Sequence, residues 1–313
     1  MEVQKVQPRK KKIVMIITLS VLVLGIILYQ LANRYLIKHV EMTNALSNTP
    51  STVQSTELST TEEDYNADDW SYTSDTKSIQ IKKVEAGTSA NPIVYYVADV
   101  ELKVASSLKS AFANNQFGNN ITENTSVIAS ENNAIFAING DYYGFREDGI
   151  TIRNGEVFRD NPARTGLALY EGGSMKIYDE TETSADELLE QGVTQTLSFG
   201  PPLVENSTAI TNFGNVSIDS NFGNRSIENS NPRTGIGIIS PNHYVFVVVD
   251  GRSEESDGMT LTEFAQVFED LGCTEAYNLD GGGSSTMYFM GRVVNNPQGK
   301  GQERGVSDIL YIN

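Results

Sequence analysis

The sequence predicts an α+β fold of mixed, mainly antiparallel sheets with a few packed helices, behind an N-terminal transmembrane helix. Three observations predict it. Short apolar runs separated by turn residues recur from residue 91 onward, helix start signals occur only at scattered points, and one long uncharged run stands near the N-terminus.

That run comes first. Ile13 to Leu31 is nineteen residues without a charge, preceded by Lys10, Lys11 and Lys12. As a helix it spans roughly 28 Å, about one bilayer core. A cleaved signal peptide has a shorter apolar stretch ending in small residues, so residues 13–31 are expected to remain as a signal anchor. Five basic residues precede the run (Lys5, Arg9, Lys10, Lys11, Lys12) and two follow closely (Arg34, Lys38). The positive-inside rule then places residues 1–12 in the cytoplasm and the remainder outside, as a single-pass cell-membrane protein.

Residues 32–75 change character. Ser, Thr, Asn and acids dominate, as in Thr60-Thr61-Glu62-Glu63-Asp64, and too little apolar surface exists to offset the entropy of ordering. A flexible stalk is expected there, with one domain over 76–313.

Residues 1–40 carry seven basic side chains and one acid, so the net −17 of the chain leaves −17 − 6 = −23 on the rest. Such an acidic exterior argues against nucleic acid as a partner. Cys273 is the single cysteine, which excludes an intramolecular disulfide, and His39 and His243 have no Cys or His neighbour in sequence. A histidine triad or a His/Cys zinc site is therefore not expected.

Within the domain, Asn91 to Val104 reads as a strand pair, and Asn132 to Asp141 as a buried strand ending in a polar turn. Gly235–Ser240 and Tyr244–Asp250 read as a hairpin around Pro241-Asn242. Thr260-Leu261-Thr262-Glu263 is a capping box, and Leu261, Phe264, Ala265, Phe268 and Leu271 recur at helical spacing before Gly272. A shorter helix is expected after Ser184, with Glu187 completing its box, and another over 122–131. Residues 212–220 are echoed by 221–229, a loop expansion or a lid.

The segment Asn278-Leu279-Asp280-Gly281-Gly282-Gly283-Ser284-Ser285-Thr286-Met287 carries the chemistry. Its glycines permit a tight turn and close approach, their N–H groups can form an anion-binding nest, and the hydroxyls add donors. Alone, Asp280 is equally a turn residue. No Lys follows the glycines and a strand follows the loop, so this is not a P-loop. Arginine is scarce beyond residue 40, nine against thirty-nine acids. Yet Arg164, Arg233, Arg252 and Arg304 all sit in turn-like contexts, a distribution that suits a bidentate phosphate clamp.

Together with Ala137-Ile138-Asn139-Gly140-Asp141-Tyr142-Tyr143 and Val249-Asp250-Gly251-Arg252, these segments resemble the phosphodiester glycosidase family over about Ile79 to Asn313. The resemblance implies hydrolysis of a sugar-1-phosphodiester at the anomeric carbon, on a phosphorylated glycan of the cell surface or an exopolysaccharide. Catalysis is then expected from Asp280, with Asp250 and Asp141 behind it, and from Arg252. Asn139, Arg164, Arg233, Gly281, Gly282, Gly283, Ser284, Ser285, Thr286 and Arg304 are expected to hold sugar or phosphate. A cofactor is not expected, although Asn- and Asp-rich loops suit Ca²⁺. A non-catalytic binder of anionic wall polymers and a conventional glycoside hydrolase remain as alternatives.

Overall fold

Tyr244 to Val249 is apolar at every position because its strand is buried on both faces, which hides the two-residue period of a half-exposed strand. Tyr244, Phe246 and Val248 point into one core, and Val245, Val247 and Val249 into another. The computed structural model describes residues 9–43, 64–214, 216 and 229–313, with side chains from 13 onward.

Among these residues the largest sheet has nine strands, all paired antiparallel. At its centre lie Glu275–Asn278, Arg233–Ser240, His243–Val249 and Asn91–Leu102. A five-stranded antiparallel sheet runs in the order Arg292–Val293, Met287–Phe289, Phe136–Asn139, Asp308–Ile312 and Leu108–Phe112. Phe136, Ile138, Phe289, Leu310 and Ile312 of the smaller sheet share a core with Ile236, Phe246 and Val248 of the larger. Each such side chain, fully buried, contributes about 1.5–3 kcal/mol.

Helices cover the outer faces. Leu261–Asp270 lays Leu261, Phe264, Ala265 and Phe268 on the Val245 face, and its predicted box forms on Thr260 and Glu263. Thr125–Glu131 packs Ile128 and Ala129 on the other sheet, starting three residues later than predicted, behind Asn124. Ala185–Glu190 follows the Ser184–Glu187 capping box.

Other elements differ from expectation. Asn91–Leu102 is one long strand between Lys77–Thr88 and His243–Val249, not a strand pair within 91–104. Within the expected stalk, His39–Thr43 pairs with Gln116–Asn119, and Tyr65–Ala67 and Ser71–Ser74 belong to the large sheet. Residues 44–63 and most of the duplicated stretch (215 and 217–228) lie outside the described residues. The N-terminal helix runs Arg9–Tyr35, and its Ile13–Tyr35 segment is long and apolar enough to cross a membrane.

Candidate active site

Residues 279–286 cross from the end of Glu275–Asn278 in one sheet to the start of Met287–Phe289 in the other. A backbone passing between two sheets must find hydrogen-bond partners there, and Asn139 supplies them. Fully buried at the end of its strand, Asn139 donates Nδ2 to the Asp280 carbonyl at 2.6 Å. Its Oδ1 accepts from the Thr286 N–H at 3.1 Å and from Thr234 Oγ1 at 2.8 Å. The amide expected to hold sugar therefore clamps both ends of the crossing.

Asp280 projects from this segment with 13 % of its side chain exposed. Its Oδ2 accepts from Ser284 Oγ at 2.5 Å and from Arg304 Nη2 at 3.3 Å, and Arg304 Nη2 also donates to Ser284 Oγ at 2.5 Å. Burial pushes the Asp280 carboxyl above the ordinary range, opposed by the Arg304 charge and the Ser284 hydroxyl. Arg146 also lowers it and Asp141 raises it, which puts both within electrostatic reach.

The glycines make room for arginines. Gly282 has φ +62°, and a Cβ there would lie 2.9 Å from Arg252 Nη2; one at Gly283 would lie 3.2 Å from Arg304 Cδ. The expected N–H nest is narrower than the sequence suggests. Gly282 N–H donates to the Pro232 carbonyl at 2.9 Å and Ser284 N–H to the Gly281 carbonyl at 3.2 Å. Ser285 and Thr286 are buried, with hydroxyls lacking a partner among the described residues.

The remaining predicted residues divide into rim and support. Arg252 and Arg304 are exposed, whereas Arg233 is buried, donating to the carbonyls of Met259 and Asn229, and burial lowers its pKa to about 10. Arg164 is tied to Asp148 at 2.5 Å and to Ser198 Oγ at 2.9 Å. Asp141 accepts from the N–H groups of Tyr142 and Ser198, each at 2.6 Å, and faces Arg153 at 3.8 Å. Arg153 pairs with Asp308 at 2.8 Å, out of contact with solvent. Asp250 is buried, which raises its carboxyl pKa. Its Oδ1 accepts from Asn295 Nδ2 at 3.0 Å, and that nitrogen also donates to the Ser285 carbonyl. Asp250 thus braces the glycine loop from behind.

Sequence reasoning missed Arg146. Its Nη1 donates to the Ser198 carbonyl at 3.0 Å, and its guanidinium lies 5.2 Å from the ring centroids of both Tyr142 and Phe199. The signal was an arginine closing the run Tyr142-Tyr143-Gly144-Phe145. Among the described residues no three His, Cys, Asp or Glu side chains gather as metal ligands. Cavities of about 250 and about 470 Å³ elsewhere hold none of the residues named for the site.

The sequence model of the phosphodiester glycosidase family matches residues 132–313, which include Asp141, Arg146, Asp250, Arg252, Asp280 and Arg304. The chain belongs to that family. A curated relative, the SPbeta prophage-derived uncharacterized protein YomE of Bacillus subtilis, is 32 % identical over 243 residues, 70 % of this chain. The chain spans only 36 % of that relative's length.

Solved structures share the fold. The catalytic domain of zebrafish N-acetylglucosamine-1-phosphodiester alpha-N-acetylglucosaminidase, auto-inhibited by its pro-peptide, matches at TM-score 0.61 and 19 % identity, over 76 % of this chain and 83 % of that one. A hypothetical protein from Synechocystis matches at TM-score 0.51 and 14 % identity, over 76 % of this chain and 62 % of that one.

Proposed function

We propose that the domain hydrolyses a sugar-1-phosphodiester at the anomeric carbon, with Asp280 as the carboxylate at the reacting centre. The observation that carries this reading is the surroundings of Asp280. One nearly buried carboxylate is aimed by Ser284 and flanked by Arg304, with Arg252 over the adjacent Gly282. Both oxygens of Asp141 accept from neighbouring N–H groups, and Asp250 lies behind the glycine loop, bonded through Oδ1 to Asn295 and Asn296, which favours Asp280 over both.

The bond between the anomeric carbon and the phosphate oxygen breaks, and its electron pair leaves with the phosphate. Arg304, Arg252 and Arg146 supply positive charge where that negative charge accumulates. A phosphate monoester is a weak base, with a second pKa near about 6, so no strong general acid is required. Asp280 either attacks the anomeric carbon, forming a glycosyl ester that water then hydrolyses to free the sugar and restore the carboxylate, or takes a proton from the attacking water and passes it to solvent. Arg164, Arg153 and Asp308 hold Asp141 and the Ser198 turn in place.

The chain is anchored by residues 13–31 in this proposal, with residues 1–12 in the cytoplasm and the domain outside, acting on cell-surface or exopolysaccharide glycans. The folded unit takes in chain ahead of the boundary at 76 that composition suggests, because Tyr65–Ala67 and Ser71–Ser74 are strands of the large sheet and His39–Thr43 pairs with Gln116–Asn119.

The test compares N-acetylglucosamine-1-phosphodiesters with an aryl N-acetylglucosaminide, the first sugar being that of the zebrafish relative. Turnover of the diester alone, lost in Asp280→Asn, supports the reading. Binding without turnover selects the wall-polymer binder, and equal turnover of the aryl glycoside selects a conventional glycosidase.

A further inference from the structure

The apolar helix does not lead into a free tether. Asn120 Nδ2 donates to the carbonyls of Ile37 at 2.8 Å and Asn33 at 3.4 Å, and His39 Nε2 lies 2.9 Å from the Asn33 carbonyl. His39–Thr43 then pairs antiparallel with Gln116–Asn119, His39 opposite Asn119. Asn33 stands about 30 Å along the helix from Ile13, one hydrocarbon thickness, so the groups that touch it lie at headgroup level. Arg34, Tyr35 and Lys38 around it are residue types that settle at that level. Leu36, Ile37, Val40 and Met42 are 78, 41, 45 and 38 % exposed. Their continuity with the span makes lipid the surface that covers them.

The same Asn120 supports the active site. Its own N–H donates at 2.8 Å to the carbonyl of Gly144, in the turn Tyr143–Phe145 that precedes Arg146. Phe117, in the strand that pairs with His39–Thr43, stacks on Tyr143 with centroids 5.0 Å apart. Arg146 in turn holds the Ser198 carbonyl, and the Ser198 N–H holds Asp141. One residue thus bonds both the end of the anchor and the turn that positions a site arginine.

We infer that residues 33–43 and the strand Gln116–Asn119 lie on the bilayer surface and hold the site against it. The substrate is then a sugar phosphodiester whose second ester is a membrane lipid. The placement stands on this geometry, whereas the sugar-phosphate chemistry rests on the function proposed above.

Two measurements on the full chain in liposomes test the two halves separately. A fluorophore is placed on Glu147→Cys beside Arg146, or on Glu171→Cys after the strand Thr165–Tyr170; the native Cys273 is buried and stays unlabelled. A headgroup quencher should dim the probe at 147 at least threefold more than at 171, and equal quenching overturns the placement.

Hydrolysis is then compared for N-acetylglucosamine-1-phosphate esters of a long-chain alcohol in the same bilayer and of methanol in solution. Val40→Pro with Met42→Pro, which removes two N–H groups from the docked strand, should lose at least tenfold on the lipid ester and change less than twofold on the methyl ester. Equal effects on both overturn the lipid substrate. A wild type that cleaves neither ester removes the sugar-phosphate chemistry and the lipid substrate with it, while the quenching pattern still decides the placement.

Discussion

Asn139→Leu tests whether the crossing segment is held as described. Leucine keeps the branched outline of asparagine with bulkier methyl groups in place of Oδ1 and Nδ2, so no cavity opens, but the Thr286 N–H and the Asp280 carbonyl lose their partner inside the protein. Both are backbone groups and cannot turn away, unlike the Thr234 hydroxyl, which rotates. An unsatisfied buried group costs about 1–3 kcal/mol, so the two together cost about 2–6 kcal/mol. For a domain of this size each kcal/mol lowers Tm by about 2–4 °C, giving a fall of about 4–24 °C. Circular dichroism melts of the full chain in detergent micelles read it directly. A Tm within about 2 °C of wild type would mean that Asn139 does not hold the segment, and the account of how Asp280 is positioned would fail.

Asp280→Asn should lower kcat by at least about a thousandfold, in line with loss of a nucleophile or base, and leave Tm within about 3 °C; retained turnover removes Asp280 from the mechanism. Because burial raises the Asp280 carboxyl, the ionised form required for catalysis is lost on acidification at a higher pH than for an ordinary carboxylate. Arg304→Gln removes a charge that lowers this pKa, so the acid limb of the kcat–pH profile should move further up; a downward move refutes the assignment. Gly282→Ala puts a Cβ at φ +62° and 2.9 Å from Arg252 Nη2, and should cost about 1–2 kcal/mol of stability together with a fall in kcat/KM. Arg153→Met leaves Asp141 and Asp308 buried without their cation, and urea unfolding should show a loss of about 3–5 kcal/mol.

Capping boxes and periodicity were legible because they are local. Thr260–Glu263 and Ser184–Glu187 close within their own first turns, and Leu261 to Phe268 repeats the spacing of one helix face. The N-terminal strands were not. Neither His39–Thr43 nor Tyr65–Ala67 carries more than two apolar residues in alternation: the first becomes a strand through Gln116–Asn119, distant in sequence, and the second through Ser71–Ser74, which is itself held by Lys77–Thr88.

At the site, Asp280 and its glycines stood out because Gly is read as permission for close approach. What approaches is a pair of the chain's own arginines, a tertiary fact. Arg233 looked like Arg164 in sequence, yet it is consumed by two carbonyls, because its position opens a strand covered by the helix Leu261–Asp270. Arg146 escaped notice because two of its partners, Ser198 and Phe199, lie roughly fifty residues away.

The crossing between the sheets also limits how such an enzyme can be re-engineered. Asp280 stands on a span pinned at both ends, so altering its flanks disturbs the union of the two layers along with the reaction. Arg252 and Arg304 reach the same place from outside, as exposed side chains. A library aimed at new sugars or new aglycones therefore leaves the glycines and Asn139 untouched, and keeps those two arginines for the charge on the phosphate.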